Sequence, residues 1–206
     1  QIPILAAENS TDSATAGVTY TLSGENNQIL TVSGTGEITS LELNKTLSFD
    51  EKERVTSIII DSGITGIADD YNTLLTKVKK ITLKGSGNFR FGNYAFRNLD
   101  SLSVESERDS IEVGSYTFQN TQLLQFPLDS IVKIKSFGFS NAQLPVEGKN
   151  LTLHFADNVD MSAKYPSNSI YQYALSGVKN STGETFSSAD ITISGTVAFG
   201  EIASNR

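Results

Sequence analysis

Apolar residues return along the chain in the spacing apolar-x-x-apolar-x-apolar: Ile38, Leu41, Leu43; Val55, Ile58, Ile60; Val78, Ile81, Leu83; Leu99, Leu102, Val104; Leu123, Phe126, Leu128. Weaker copies end in Leu151 and Leu153 and in Ile191 and Ile193. The last two apolar residues of each copy stand two apart, the period of a strand with one buried face, so each copy predicts a short strand. After a first step of 17 residues from Leu43 to Ile60, the third positions advance by 23, 21, 24 and 25 residues to Leu83, Val104, Leu128 and Leu153. Such steps are those of leucine-rich repeat units, roughly 20–29 residues long. The 40-residue advance from Leu153 to Ile193 implies an insertion. It is placed in residues 157–169, where Pro166 and a cluster of Asn and Ser break the period.

Each unit carries a second, smaller apolar pair: Ile64 and Ile67, Phe89 and Phe91, Ile111 and Val113, Ile131 and Ile134. An aromatic corner follows in Gly92-Asn93-Tyr94-Ala95-Phe96, Gly114-Ser115-Tyr116-Thr117-Phe118 and Lys135-Ser136-Phe137-Gly138-Phe139. Tyr173-Ala174-Leu175 reads as a fourth copy with Leu in the place of Phe. One such unit has too little apolar surface to bury alone, whereas stacked units build a continuous core. The final Phe residues should therefore stack into a ladder of Phe96, Phe118 and Phe139.

Residues 18–43 alternate apolar and polar positions between turns at Ser23-Gly24-Glu25-Asn26-Asn27 and Ser33-Gly34-Thr35-Gly36, which predicts short strands of a cap. Long helices are not expected, because little 3.6-residue periodicity survives between strands; Asp50–Arg54 and Asp69–Leu75 can each form a turn or two. The organisation expected is a flexible tether at 1–17, an N-terminal β cap at 18–54, regular leucine-rich repeats at 55–145, and degenerate repeats at 146–206 with an inserted loop and a C-terminal cap.

The repeat ITLKGSGNFRFGNYAFRNLDSLSV, and with it Phe126-Pro127-Leu128-Asp129-Ser130-Ile131-Val132-Lys133-Ile134, resembles the BspA-like leucine-rich repeats of bacterial surface proteins. Units of that family run Leu-x-x-Ile-x-Ile-Pro-x-x-Val-x-x-Ile-Gly-x-x-Ala-Phe. The resemblance extends from about Ile29 to Phe139; Ala68 in place of Gly and Gly138 in place of Ala are departures. It implies a β-rich repeat solenoid, a right-handed superhelix with short helical or irregular turns, exported and displayed on a bacterial cell surface. It implies adhesion or protein interaction in place of catalysis. The shared motif is structural, so it transfers no site residues.

Composition narrows the partners. A formal charge of -7 disfavours a phosphate lattice as partner, hence no nucleic acid. No apolar run approaches the roughly 18 residues of a membrane span, and a signal peptide, with any lipid anchor, is expected upstream and removed. The sequence contains no cysteine, which excludes disulfides, thiolate metal sites and cysteine nucleophiles together.

Candidate chemistry is sparse. His154, the single histidine, follows a strand and reads as an exposed face position; no Gly-x-Ser-x-Gly elbow accompanies it. Ser130-Ile131-Val132-Lys133 matches Ser-x-x-Lys, yet its apolar and basic members already have places in the repeat. Gly85-Ser86-Gly87 lacks the third glycine of a dinucleotide loop. Asp157, Asn158 and Asp160 offer oxygen ligands without an EF-hand spacing, and whether the loop binds an ion is left open. Lys77, Lys79, Lys80, Lys84, Arg90 and Arg97 form a basic zone, expected to pair with Glu105, Glu107 and Glu112 in adjacent layers. Asn9, Asn44, Asn150 and Asn180 head glycosylation sequons.

The expected binding surface is the outward face of the strands: Lys80, Thr82 and Lys84; Ser101, Ser103 and Glu105; Gln125, Pro127 and Asp129; Asn150, Thr152 and His154. The chain reads as a monomer, without catalytic residues, metal or cofactor, that engages a protein or glycan on a host or neighbouring cell. A parallel β-helix carbohydrate-active enzyme and an inert surface spacer are the alternatives.

Overall fold

The computed structural model describes residues 17–157 and 168–199. All of the tether but Gly17, most of the expected inserted loop, Asn9, Asn158 and Asp160 lie outside these residues. Two sheets face each other. The first holds β1 (Val18–Ser23), β2 (Ile29–Gly34), β4 (Ser57–Ile60), β6 (Lys80–Leu83), β8 (Leu102–Ser106) and β10 (Leu123–Gln125) in that spatial order. The second holds β3 (Gly36–Ile38), β5 (Ile64–Ile67), β7 (Asn88–Phe91), β9 (Ser110–Val113), β11 (Ile131–Ile134), β13 (Ser169–Ile170) and β15 (Ala198–Phe199). From β2 to β11 the chain alternates between the sheets, so each unit there adds one parallel strand to both. Only β1 runs antiparallel, folding back on β2 and ending the first sheet with a hairpin.

Alternation within the strands makes the core. In β6, Ile81 and Leu83 are buried while Lys80 is exposed; in β9, Ile111 and Val113 are buried while Ser110 and Glu112 lie half out. Ile58, Ile60, Ile81, Leu83, Leu102 and Val104 meet Ile64, Phe89, Phe91, Ile111 and Val113 in one continuous cluster. Phe96, Phe118 and Phe139 close its side, with ring centroids 6.2 and 5.5 Å apart and planes within 15° and 14°. The expected ladder is therefore present. Corner backbones hold it in step: Phe96 N–H donates to the Thr117 carbonyl, Phe118 N–H to Gly138, and Phe139 N–H to Ala174.

The sequence spacing misplaced several elements. Ile38-x-x-Leu41-x-Leu43 is not a strand; Ser40–Thr46 forms helix α1, capped by the Thr39 hydroxyl, which accepts from Glu42 N–H at 3.1 Å. Leu43 and Leu47, four apart, are the buried residues, and Leu41 is left 64% exposed; a helical period won over the period of two. Phe49–Arg54 forms α2, capped by a reciprocal Ser48–Glu51 box, so a helix is present where Asp50–Arg54 suggested one. Asp69–Leu75 has no helical turn. There the Asp69 carboxylate takes the Asn93 N–H and the Arg90 guanidinium, and Asp70 takes the N–H of Tyr71.

Register differs as well. Ile81 pairs with Val104 and Leu83 with Ser106, two residues out from equal steps, and Leu123 pairs with Leu102. Phe126 and Leu128 consequently fall beyond β10. Phe126 turns into the core edge-on against Phe118 (5.2 Å) and Phe139 (5.4 Å), while Leu128–Ser130 forms a 3-10 turn. Beyond β10 the row of the first sheet continues through single bridges from Gln122 to Gln143 and from Gln143 to Lys179. β12 (Leu151–Phe155) instead pairs with β14 (Ile191–Gly195) in a separate two-stranded sheet, Leu151 to Ile191 and Leu153 to Ile193. The 40-residue step is thus a direct neighbour contact. Between its ends lie β13, the Tyr173 corner and the bridge at Lys179, an enlarged unit and more than an inserted loop. No helix among the described residues is long and apolar enough to cross a membrane.

Candidate interaction surface

Register decides which outward side chains are neighbours on the first sheet. One row runs Ile29, Ser57, Lys80 and Ser103; the next runs Thr31, Ile59, Thr82 and Glu105. β1 extends the second row with Thr21 opposite Thr31. Lys80 reaches Glu105 at 3.3 Å, the one salt bridge between strands of this sheet among the described residues. Leu124 and Gln125 end the face at β10, with Leu124 57% exposed. Of the expected strip, Lys80, Thr82, Ser103, Glu105 and Gln125 share this face. Lys84 and Ser101 lie just past strand ends; Pro127, which has no N–H to offer a ladder, precedes the 3-10 turn and Asp129 lies within it. Asn150, Thr152 and His154 belong to the β12–β14 sheet or its approach and are not part of this surface.

The outer face of the second sheet is different in kind. Arg90 bonds Asp69 at 2.8 Å and Glu37 at 3.2 Å, and Lys133 bonds Glu112 at 3.3 Å. Asn88 donates to Glu112 at 2.6 Å and accepts from the Ser110 hydroxyl at 2.7 Å. Glu37 lies opposite Gly66, and Gly66 opposite Arg90, so the missing side chain lets Arg90 reach across a whole strand. Partial burial opposes ionisation of Asp69, but the Asn93 amide and the bonded Arg90 charge outweigh it and hold its carboxyl below the usual range. Hence the basic zone pairs mainly outside the set expected from sequence: of Glu105, Glu107 and Glu112, only Glu105 takes a lysine from it.

Other candidate chemistry is occupied by structural bonds. The amides of Gly85 and Gly87 donate to the carboxylates of Glu107 (2.8 Å) and Asp109 (2.7 Å), so the chain fills its own Gly-rich loop. Ser130 sits in the 3-10 turn and Lys133 is bonded to Glu112. His154 is exposed, as expected, and its Nδ1 lies 2.9 Å from Ser194 Oγ across β12 and β14. Among the described residues no group of three or more His, Cys, Asp or Glu is placed to hold a metal. Asn180 is fully buried and its amide donates to the Gly148 carbonyl and the Glu184 carboxylate, which removes that sequon from solvent.

One feature was missed in the sequence. Tyr94, Tyr116, Phe137 and Tyr173 form a second aromatic column outside the Phe ladder, with parallel neighbours 4.9, 4.9 and 5.1 Å apart. That spacing is the strand separation of a sheet, carried into the corners. Tyr71 continues the column at 6.1 Å, tilted by 40°. All four stacked residues have positive φ, from 59° to 63°, and Asn98, Asn120 and Asn141 repeat the left-handed conformation four residues later. The signal was available: every corner has an aromatic two residues before its last position.

No protein-family model matches this sequence, and no curated protein matches it. Among solved structures, the chain is similar to a leucine-rich repeat protein from Eubacterium ventriosum, with 12% identity over 89% of this chain and 72% of that one and a TM-score of 0.38.

Proposed function

We propose that the chain is a BspA-like leucine-rich repeat solenoid, wound as a right-handed superhelix and displayed on a bacterial surface. In this reading it is a non-enzymatic monomer that binds a protein or glycan of a host or neighbouring cell through the outer face of the first sheet. The observation that carries this is the contrast between the two outer faces. Charges on the second sheet are bonded to one another across strands, so a partner would have to break them. On the first sheet a single ion pair, Lys80–Glu105, crosses strands among the described residues. The half-buried Ile29 and Ile59, beside the hydroxyls of Thr21, Thr31 and Thr82, together with the exposed Leu124 at the β10 edge, intersperse apolar with polar groups as protein interfaces do. The repeat spacing and corner motif support the family and, through it, the location.

Capture of the labelled chain by an array of host glycoproteins and glycans tests the reading. Ile59→Lys and Leu124→Asp should each weaken capture by about tenfold, equivalent to roughly 1.4 kcal/mol, while Glu112→Gln on the second sheet should leave it unchanged. Loss on Glu112→Gln alone would move the site to the other sheet. Uronate polymers incubated with the chain should yield no ultraviolet-absorbing unsaturated product.

A further inference from the structure

We infer that the groove between α1 and residues 69–71 is a docking site for an arginine side chain presented by a partner polypeptide. This is a second surface, separate from the outer face of the first sheet, and does not depend on that reading. The groove is open, with a volume of about 470 Å³, within the usual range for a bound group of roughly 300–1,000 Å³. Its apolar walls are Leu41 and Tyr71, 64% and 82% exposed. Its acidic groups are Glu42, already reached by Lys45 at 3.3 Å, Asp69, already reached by Arg90 at 2.8 Å, and Asp70, which forms no salt bridge among the described residues, and no lysine or arginine lines the groove itself. An occupant must therefore be cationic at one end and apolar along its length, which describes arginine: a methylene stem against Leu41 and a planar cation over an aromatic face.

The protein contains the same arrangement one layer away. Arg97 sets its guanidinium over the Tyr94 ring, 5.0 Å from the centroid. Tyr71 stands at the head of the same column, but the residue three further on is Leu74, so its own unit supplies no cation in that place. Within the column the stacked rings cover one another's faces, whereas Tyr71 is tilted away and keeps a face free. The carboxylate beside it is held ready. The Ser40 hydroxyl, then the amides of Tyr71 and Asn72, keep the Asp70 carboxyl below its ordinary range, so the anion needs no partner to stay ionised.

The test is a titration of the isotope-labelled chain, followed by amide chemical shifts, with a capped Gly-Ser peptide bearing one arginine. Saturable shifts should be confined to the amides of Ser40, Leu41, Asp70 and Tyr71, and a peptide with glutamate in that place should produce none. Tyr71→Leu keeps the apolar wall and removes the π face; it and Asp70→Asn should each weaken binding by about two- to fivefold. Tyr71→Ala, at an exposed position, provides a further variant if Asp70→Asn perturbs the fold. The inference is overturned by shifts spread over the acidic surface and equal in the variants. It is also overturned if a neutral malto-oligosaccharide shifts the groove when the arginine peptide does not, or if sedimentation shows a dimer that Tyr71→Ala dissolves, which would make a second copy the occupant.

Discussion

The rings of Tyr94 and Tyr116 lie 4.9 Å apart and 6° from parallel, although both residues occupy the left-handed backbone region, at φ 63° and 59°. A side chain there costs roughly 1–2 kcal/mol, which is why glycine or asparagine usually fills such places. Here the corner makes the turn and stacking across layers offsets the strain. Tyr116→Ala should therefore lose the stacking and keep the strain, while Tyr116→Gly loses both. Urea unfolding should find the glycine variant more stable than the alanine variant by about 1 kcal/mol, reversing the order expected in a strand or helix.

Phe118 is fully buried, stacked between Phe96 and Phe139 and met edge-on by Phe91 and Phe126. Phe118→Ala should cost about 3–5 kcal/mol in urea unfolding, because four rings cannot collapse into one vacancy. Phe199→Ala, at a position 56% exposed, should stay within about 0.5 kcal/mol of the parent.

Burial in β1 pushes the Tyr20 phenol up to about 12, from an ordinary 10.0. Below pH about 10 the group is neutral in folded and unfolded chains alike and its contribution is constant. Between about 10 and about 12 the unfolded chain gives up this proton first, so stability falls as pH rises. Urea midpoints at about pH 9 and about pH 11 should differ less for Tyr20→Phe than for the parent, by the share this phenol contributes.

Glu105 faces Lys80, not Lys84, across the first sheet. A double-mutant cycle on Lys80 and Glu105 should give roughly 0.2–1 kcal/mol of coupling at low salt, shrinking as salt is added, since both side chains are near half exposed. The same cycle on Lys84 and Glu105 should give none.

Gly66 is occupied by necessity. A Cβ there would stand 2.7 Å from the Arg90 carbonyl oxygen and 3.2 Å from its Cβ. Gly66→Ala should destabilise by about 1–3 kcal/mol. Deleting the Arg90 head with Arg90→Met in that background should cost less than it does in the parent, because the displaced guanidinium no longer bridges Glu37 and Asp69.

The Phe ladder and the paired short strands were legible in the sequence because both repeat at a distance set by one turn of chain, and burial demands the same residue type each time. Leu41 shows the limit of that reading. Its spacing to Leu43 fits a strand, but the Thr39 cap and the four-residue step from Leu43 to Leu47 settled a helix. Strand partners were less legible still. A shift of two keeps every side chain on its own face, so alternation alone cannot tell Ile81 opposite Leu102 from Ile81 opposite Val104.

By itself, the order of residues determined that short units repeat, which positions of the central strands such as Ile81 and Leu83 face the core, and that the corner phenylalanines share one column, since each follows from local periodicity. Only the tertiary structure decided which charges meet, that Leu151–Phe155 joins Ile191–Gly195 in a sheet of its own, and that Leu41, Asp70 and Tyr71 border one groove. Those facts depend on the stagger between neighbouring units. Stagger is set by the length and packing of turns such as Gly85–Gly87, and such contacts between units leave no period in the chain.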